Sequence, residues 1–533
     1  MIKSIKSALL GTAGRTLAAV AAIGLAAPIA NAAPIKVESE NIVLYGDVEA
    51  STAMDRVRKW EIYRRMIYAL SGISNPDPDN VKLTIYAFPD GDELRDFTDI
   101  GGIAGVYTNR GFDGPMFMTS VSNKKKDGEW SELVGLHEYT HHVTQSFVKQ
   151  SFPTWYNEGF ANYLSTMEIT EDSVAIGSPE APHFQNLKDK RTRFIRPDTV
   201  LGANSGYPSI SRPEWRKGGM NSFYGQSTLY VHYMRSQPEL NAKLPVYLAR
   251  LEDTDVSATE AFEEVFGMTT KQFHQKAARY FRDNDFAINT YQPGPKIMDV
   301  DMKVTRLSDV ELKYAQIPGR VTFMGDGNAN DIARDVKNVI DTGKNDGKVA
   351  MALVSIDLQA ERYDDAKARG MSAMNANPSD INAKRAYADA LYHAAIDPAY
   401  EEMDDEFAPL TMTDDLKKSL DLYRSILMQN AKDGDALTHV VNYYGSSEDD
   451  IDPLVFDAAR LYDILLMDKF SVTEGMNLAV IYAKQGYMLD ACDYYNKALV
   501  ETEDMKKKRL GAMAGKLDWF KETYGQSCQV MEG

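Results

Sequence analysis

Residues 137–141 read His-Glu-Tyr-Thr-His, and they lie within a segment that runs from Trp130 to Phe147. Apolar residues recur in this segment at spacings of three and four, which predicts an amphipathic helix. On such a helix His137 and His141 project from one face, so their imidazoles can bind the same ion. Glu138 then lies beside that ion without being a ligand. The pattern H-E-x-x-H predicts a zinc site in which Glu138 takes a proton from the attacking water.

A second helix is predicted directly after the first. Pro153 suits the first turn of a helix, where its missing N–H loses no partner, and residues 155–164 continue the pattern. The short connection brings this helix back beside the first and places Glu158 as a third ligand. Three protein ligands and one open position are typical of catalytic zinc, whereas a structural site is closed by a fourth ligand. We therefore expect one Zn²⁺ per chain, bound by His137, His141 and Glu158.

Two motifs together resemble a known family. The pattern H-E-x-x-H is followed by W-x-x-E-G-x-A-x-Y at residues 155–163. This pair resembles the gluzincin metallopeptidases, the peptidase MA-like group that includes thermolysin and aminopeptidase N. The resemblance covers about residues 80–285. It implies a zincin-type catalytic domain with His137, His141 and Glu158 as zinc ligands. It also implies that Glu138 is the general base.

Tyr224 opens a third block, Y-G-Q-S-T-L-Y-V-H-Y-M. The block is similar to the helix that supplies a transition-state tyrosine in the aminopeptidase N branch, which implies that Tyr224 stabilises the oxyanion. Other phenols compete for this role, namely Tyr207, Tyr230 and Tyr233. The G-x-M-E-N signature that anchors a substrate amino group in that branch is not visible. We therefore expect an endopeptidase rather than an aminopeptidase.

Other polar residues have less specific roles. Asn162, one turn after Glu158, is expected either to orient a ligating histidine or simply to pack. His142 points to another face of its helix, which favours a surface or supporting role over metal binding. His232 is expected to be a core histidine. No partner at ligand spacing is found for His183, His274, His393 and His439.

Residues 1–32 have the pattern of a secretory signal peptide: a basic start, an apolar Ala-rich run, and Ala-Asn-Ala at 30–32. The alternative, a membrane anchor, is disfavoured because the apolar run is too short to span a bilayer. No later apolar run is long enough either. The net charge of −18 disfavours nucleic-acid binding. We expect an exported protein, in the periplasm or secreted.

The predicted fold class is α+β. Strand, helix and strand patterns followed by the two motif helices predict a metallopeptidase domain at 33–285, with a small mixed sheet and a helical lobe. In this superfamily, an edge strand just before the zinc helix pairs with an extended peptide. The long segment 173–221 either roofs the cleft or is a partly ordered insertion. Residues 286–328 are expected to be a linker or small β element, with Pro318 and Gly319 as a turn.

Residues 329–533 are predicted to form a tetratricopeptide-like solenoid of about four helical hairpins. The best copy of the repeat has Leu478, Ala479 and Tyr482 on its first helix. Its second helix carries Ala491, Tyr495 and Ala498. The two cysteines, Cys492 and Cys528, either pair or remain separate thiols, because sequence does not report their distance.

Two functional hypotheses follow. The first is an exported zinc peptidase that cleaves a peptide or protein substrate, with the repeats recruiting the substrate or a protein partner. The second is a scaffold of weak or no activity that acts through its repeats. The complete set of His137, Glu138, His141 and Glu158 favours the first.

Overall fold

The structure is a computed structural model of the whole chain. It describes residues 33–531 with breaks at 72–81, 122–124, 148–151, 179–183, 185–186, 189–192, 203–218, 252–255, 403–408, 467–470 and 504–511, and at positions 102, 104, 110, 112, 285 and 326. The predicted signal peptide at 1–32, and most of the predicted roof segment at 173–221, lie outside the described residues. The fold is mixed α+β, with a small mixed sheet and a helical C-terminal region.

Nine strands are described, in two sheets. They are β1 (Ile35–Glu38), β2 (Ile42–Gly46), β3 (Leu83–Phe88), β4 (Gly105–Thr108), β5 (Met116–Ser120), β6 (Glu168–Ile169), β7 (Val174–Ile176), β8 (Asn289–Tyr291) and β9 (Lys303–Arg306). The larger sheet has the order β4-β5-β3-β2-β1-β9. Its β2, β3 and β5 are parallel, and the other pairs are antiparallel. The smaller sheet, β6-β7-β8, is antiparallel.

The helices of the N-terminal half surround these sheets. They are α1 (Ala50–Ser71), α2 (Gly91–Thr98), α3 (Lys125–Phe147), α4 (Thr154–Ser165), α5 (Pro197–Leu201), α6 (Gly219–Ser236), α7 (Pro238–Arg250), α8 (Ala258–Phe266), α9 (Thr270–Asp283), α10 (Pro295–Met298) and α11 (Asp309–Thr322). The two predicted motif helices are confirmed as α3 and α4. Gly267 ends α8 at a φ of 68°, a left-handed conformation that glycine adopts without strain.

The core of this half forms where α1 and α3 pack against each other and against the larger sheet. Trp60 of α1 is fully buried, with its ring 5.1 Å from both Phe117 of β5 and Tyr139 of α3. Gly135 makes the close packing of α3 possible, because a Cβ there would lie 2.6 Å from the Phe117 ring. Burial of these large apolar rings fixes α3 on the sheet.

Helices α4 and α6 cross at a second glycine. A Cβ on Gly159 would lie 2.4 Å from the carbonyl oxygen of Ser227 and 2.8 Å from Val231. The nearest obstacle is backbone, which cannot rotate away as a side chain can. Glu158 immediately precedes Gly159, so this crossing also sets the position of Glu158.

Gly159→Ala is therefore expected to destabilise the fold by about 1–3 kcal/mol, as overpacking of a close contact does. Thermal unfolding measures the loss of stability. Gly91→Ala is the matched control, because a Cβ at Gly91 meets no atom within 4 Å. Equal melting temperatures for the two variants would contradict the tight crossing.

The segment 286–328 differs at one position from the structure that its sequence predicts. It contributes β8, α10 and β9, and β9 pairs with β1 at the edge of the larger sheet. The predicted turn at Pro318 and Gly319 is wrong, since both lie inside α11. A tertiary contact explains the difference: Gly319 lets α11 approach the rings of Tyr86 and Phe97, and the Tyr86 hydroxyl donates to the Ala315 carbonyl at 2.9 Å. This packing outweighs the local preference for a turn.

The C-terminal region is helical throughout its described residues, apart from its connections. Its helices are α12 (Ala329–Asp341), α13 (Gly347–Gln359), α14 (Tyr363–Ala376), α15 (Ile381–Glu402), α16 (Asp414–Gln429), α17 (Gly434–Tyr444), α18 (Pro453–Leu466), α19 (Val472–Lys484), α20 (Met488–Glu503) and α21 (Ala512–Met531). Helices that follow one another along the chain pack together. The six predicted packing residues of α19 and α20 are all buried. Cys492 and Cys528 form a disulfide that joins α20 to α21.

None of the described helices is both long enough and apolar enough to cross a membrane.

Candidate metal centre

Helices α3 and α4 bring three potential ligands together. Both histidines present Nε2 to the same point, and the two Nε2 atoms are 3.1 Å apart. Glu158 Oε2 lies 3.2 Å from Nε2 of His137 and 3.6 Å from Nε2 of His141. His141 and Glu158 are buried, each 4% exposed, whereas His137 is partly accessible. The group is thus enclosed but has a side open to solvent at His137.

The spacing of these atoms fits a zinc ion. With metal–ligand distances of about 2.0–2.1 Å, the ligand atoms of a tetrahedral site lie about 3.3–3.4 Å apart. The three observed separations of 3.1, 3.2 and 3.6 Å bracket that value. The two imidazole planes stand at 86° to each other, so both lone pairs converge without ring overlap. The donor set of two imidazoles and one carboxylate suits Zn²⁺ and leaves one tetrahedral position open.

No protein-family model and no curated protein gives a significant match to this chain. The residues of the site therefore carry the functional argument on their own.

Asn157 is a site residue that the sequence did not reveal. Its Oδ1 lies 3.1 Å from Nδ1 of His141. A carbonyl oxygen can only accept, so Nδ1 carries the proton and Nε2 keeps its lone pair for a metal. Its place in the sequence could have indicated this role, since Asn157 immediately precedes Glu158 on α4. This contact orients one imidazole before any metal binds.

The electrostatics of the group favour an ionised Glu158. Burial raises the pKa of its carboxyl, but the electrostatic interactions with His141 and His137 lower it more. The net pKa lies well below the ordinary value for glutamate. Glu158 therefore offers a charged carboxylate to a cation.

Glu138 is adjacent to a potential ligand in the chain but is not a member of the group. It follows His137 on α3 and is half-buried. Within the described residues, its carboxylate takes part in no hydrogen bond or ion pair. A carboxylate one residue from a potential ligand, and without a partner among the described residues, is available to act as a general base.

Tyr224 lies on α6, half-buried, one turn before Ser227 at the crossing with α4. The crossing brings its helix against α4, but the role of the Tyr224 hydroxyl stays a prediction. Of the competing phenols, Tyr207 lies outside the described residues. Tyr230 is fully buried, and its hydroxyl is held by Gln226 at 2.7 Å and His274 at 2.8 Å.

The remaining predicted residues are placed as follows. Asn162 is fully buried one turn after Glu158, and neither amide atom finds a hydrogen-bond partner among the described residues. His142 is buried rather than on the surface, and burial lowers the pKa of its imidazole to about 3. His232 is a core histidine as predicted, with its nitrogens bonded to the Gly177 carbonyl and the Tyr280 hydroxyl. His183 lies outside the described residues.

A second group of ligand-type side chains occurs in the helical region. Potential ligand atoms of Asp389, Asp435 and His439 lie within 4.8 Å of one another, although sequence spacing indicated no partner for His439. The buried guanidinium of Arg385 lies against this group, with Nε 3.3 Å from Asp435 and a hydrogen bond to Asp433. Arg385 therefore supplies positive charge to these carboxylates, and the group is explained as a buried polar network between helices.

Proposed function

We propose that this protein is an exported zinc-dependent peptidase with a gluzincin-like catalytic domain. The observation that carries the proposal is the convergence of His137, His141 and Glu158 at tetrahedral spacing. The Glu138 carboxylate has no partner among the described residues, and Asn157 orients the imidazole of His141. These are the further groups that metal-assisted hydrolysis needs. Further support comes from the order of the elements, because the motif helix is followed at once by the helix that bears the third ligand.

The residues would divide the work as follows. His137, His141 and Glu158 would hold Zn²⁺, which would supply Lewis-acid chemistry to a carbonyl and a water. Glu138 accepts the proton of the attacking water and passes it to the leaving amine. Asn157 holds the tautomer of His141. Tyr224 is the proposed donor to the oxyanion, a role worth about 3–4 kcal/mol for a single donor.

The C-terminal helical region is proposed to be a tetratricopeptide-like repeat domain. Its small and aromatic residues are buried where successive helices pack, as in stacked hairpins. Such a stack presents an extended surface, which would recruit a protein partner or the polypeptide substrate.

Removal of the metal tests the proposed activity. Purified protein should hydrolyse casein, lose this activity on dialysis against the zinc chelator dipicolinate, and regain it with one equivalent of Zn²⁺ per chain. Benzoate, which does not chelate zinc, is the control. Full activity in zinc-free protein would contradict the proposal. Stoichiometric zinc without cleavage of casein or of a peptide library would favour the scaffold hypothesis.

A further inference from the structure

Strand β4 ends the larger sheet beside the candidate metal centre. Among the described strands it pairs only with β5, in antiparallel register from Gly105 to Thr108. All four residues are partly exposed. The strand also packs against α3, the helix that carries both histidine ligands. An edge strand in this position can pair with an extended peptide through its backbone.

One side-chain contact joins β4 to α3. The Tyr107 hydroxyl lies 3.0 Å from Nδ1 of His142, and the two ring centres are 6.0 Å apart. His142 directly follows the ligand His141 in the chain. The hydrogen bond therefore connects β4 directly to His142, the neighbour of a proposed ligand.

The His142 ring is held in place from behind. It stacks on Tyr139 at 5.7 Å with an angle of 9° between the planes. Tyr139 is fully buried, stacks on Trp60, and accepts a hydrogen bond from Arg64 at 3.2 Å. Because these rings belong to the close-packed core, the His142 ring is held rigidly. Its hydrogen bond to Tyr107 therefore fixes the position of β4 relative to α3.

We propose that Tyr107 and His142 are positioning residues that set the register of an extended peptide substrate on β4 relative to the metal centre. This inference rests on the proposed peptidase function. A peptide that pairs with β4 has its position and orientation set by that strand. The position of its scissile carbonyl relative to the metal centre therefore depends on how β4 is held. A displacement of about 1 Å at a reacting centre can cost about 100-fold in rate.

Tyr107→Phe removes the hydroxyl and keeps the ring. We expect unchanged zinc content and a kcat lowered about 10- to 100-fold, since the peptide bond is misplaced. KM should change by less than about threefold, because the β4 backbone still pairs with the peptide. Mass spectrometry of a long peptide should show cleavage at additional neighbouring bonds. This scatter distinguishes a register role from a general loss of stability.

Tyr86→Phe is the matched control, because it removes a hydroxyl from the same sheet whose hydrogen bond goes to Ala315 of α11. It should cleave the same bonds as the wild type at a similar kcat.

A second pair of variants tests His142, the partner of Tyr107 in the hydrogen bond. His142→Asn keeps an acceptor near the Nδ1 position, and His142→Leu does not. Asparagine should restore the cleavage pattern more fully than leucine.

The outcomes separate the two proposals. An active wild type with identical cleavage sites and kcat in Tyr107→Phe would overturn the positioning role alone. Loss of zinc from Tyr107→Phe would overturn it as well, since the contact would then support the metal centre itself. A wild type that holds no zinc or cleaves no peptide would overturn the peptidase function and this inference with it.

Discussion

Glu138→Gln is expected to lower kcat by about 10²- to 10⁴-fold, the usual contribution of a general base. Glutamine fills the same space as glutamate but cannot accept a proton at neutral pH. Because Glu138 lies outside the three-atom ligand group, zinc content and melting temperature should not change. Initial rates on a fluorogenic peptide, with zinc measured on the same sample, give both quantities.

Glu132→Gln is the matched control for this prediction. Glu132 lies on the same helix and is partly buried, but its carboxylate is 3.8 Å from Lys59 and is not part of the ligand group. This variant should retain wild-type activity. If Glu138→Gln keeps full activity with zinc bound, another group must take the proton and the proposed mechanism is wrong.

Glu158→Gln is expected to have the second large effect, on metal binding itself. It replaces the charged ligand with a neutral amide of the same shape. Loss of a supporting contact behind a ligand costs about 10- to 100-fold in metal affinity, so loss of a ligand should cost more than about 100-fold. Hydrolysis should fall with zinc occupancy and should be partly recovered at high free Zn²⁺, in contrast to Glu138→Gln.

The control for this variant is Glu171→Gln, a surface position after β6. It should bind zinc as the wild type does. Wild-type zinc affinity in Glu158→Gln, measured by competition with a chromophoric chelator, would exclude Glu158 as a ligand.

Residue spacing was sufficient to predict the elements that carry the site. The 3.6-residue period placed His137 and His141 on one face of α3, and Pro153 marked the start of α4. The structure brings Glu158 to both histidines, as the short connection between the helices indicated. These features are local in sequence, which is why they could be predicted.

Contacts between distant segments could not be predicted in this way. The helix through Pro318 and Gly319 depends on packing against Tyr86 and Phe97, which lie more than two hundred residues earlier. The hydrogen bond of Tyr107 to His142 joins a strand to a helix and has no sequence period. Pairing of Cys492 with Cys528 likewise required the distance between α20 and α21.

Asn157 is an intermediate case. It is local in sequence, one residue before Glu158, but two adjacent residues on a helix project about 100° apart. Periodicity alone therefore gave no reason to place it near the candidate ligands. The relative orientation of α3 and α4 brings its amide to His141.

The most direct test of the central claim is the metal content of the purified wild-type protein, measured by inductively coupled plasma mass spectrometry beside the Glu158→Gln variant. The arrangement of His137, His141 and Glu158 predicts about one zinc per wild-type chain and much less in the variant. Wild-type protein that holds no zinc, and takes up none at micromolar free Zn²⁺, would contradict the assignment of this site.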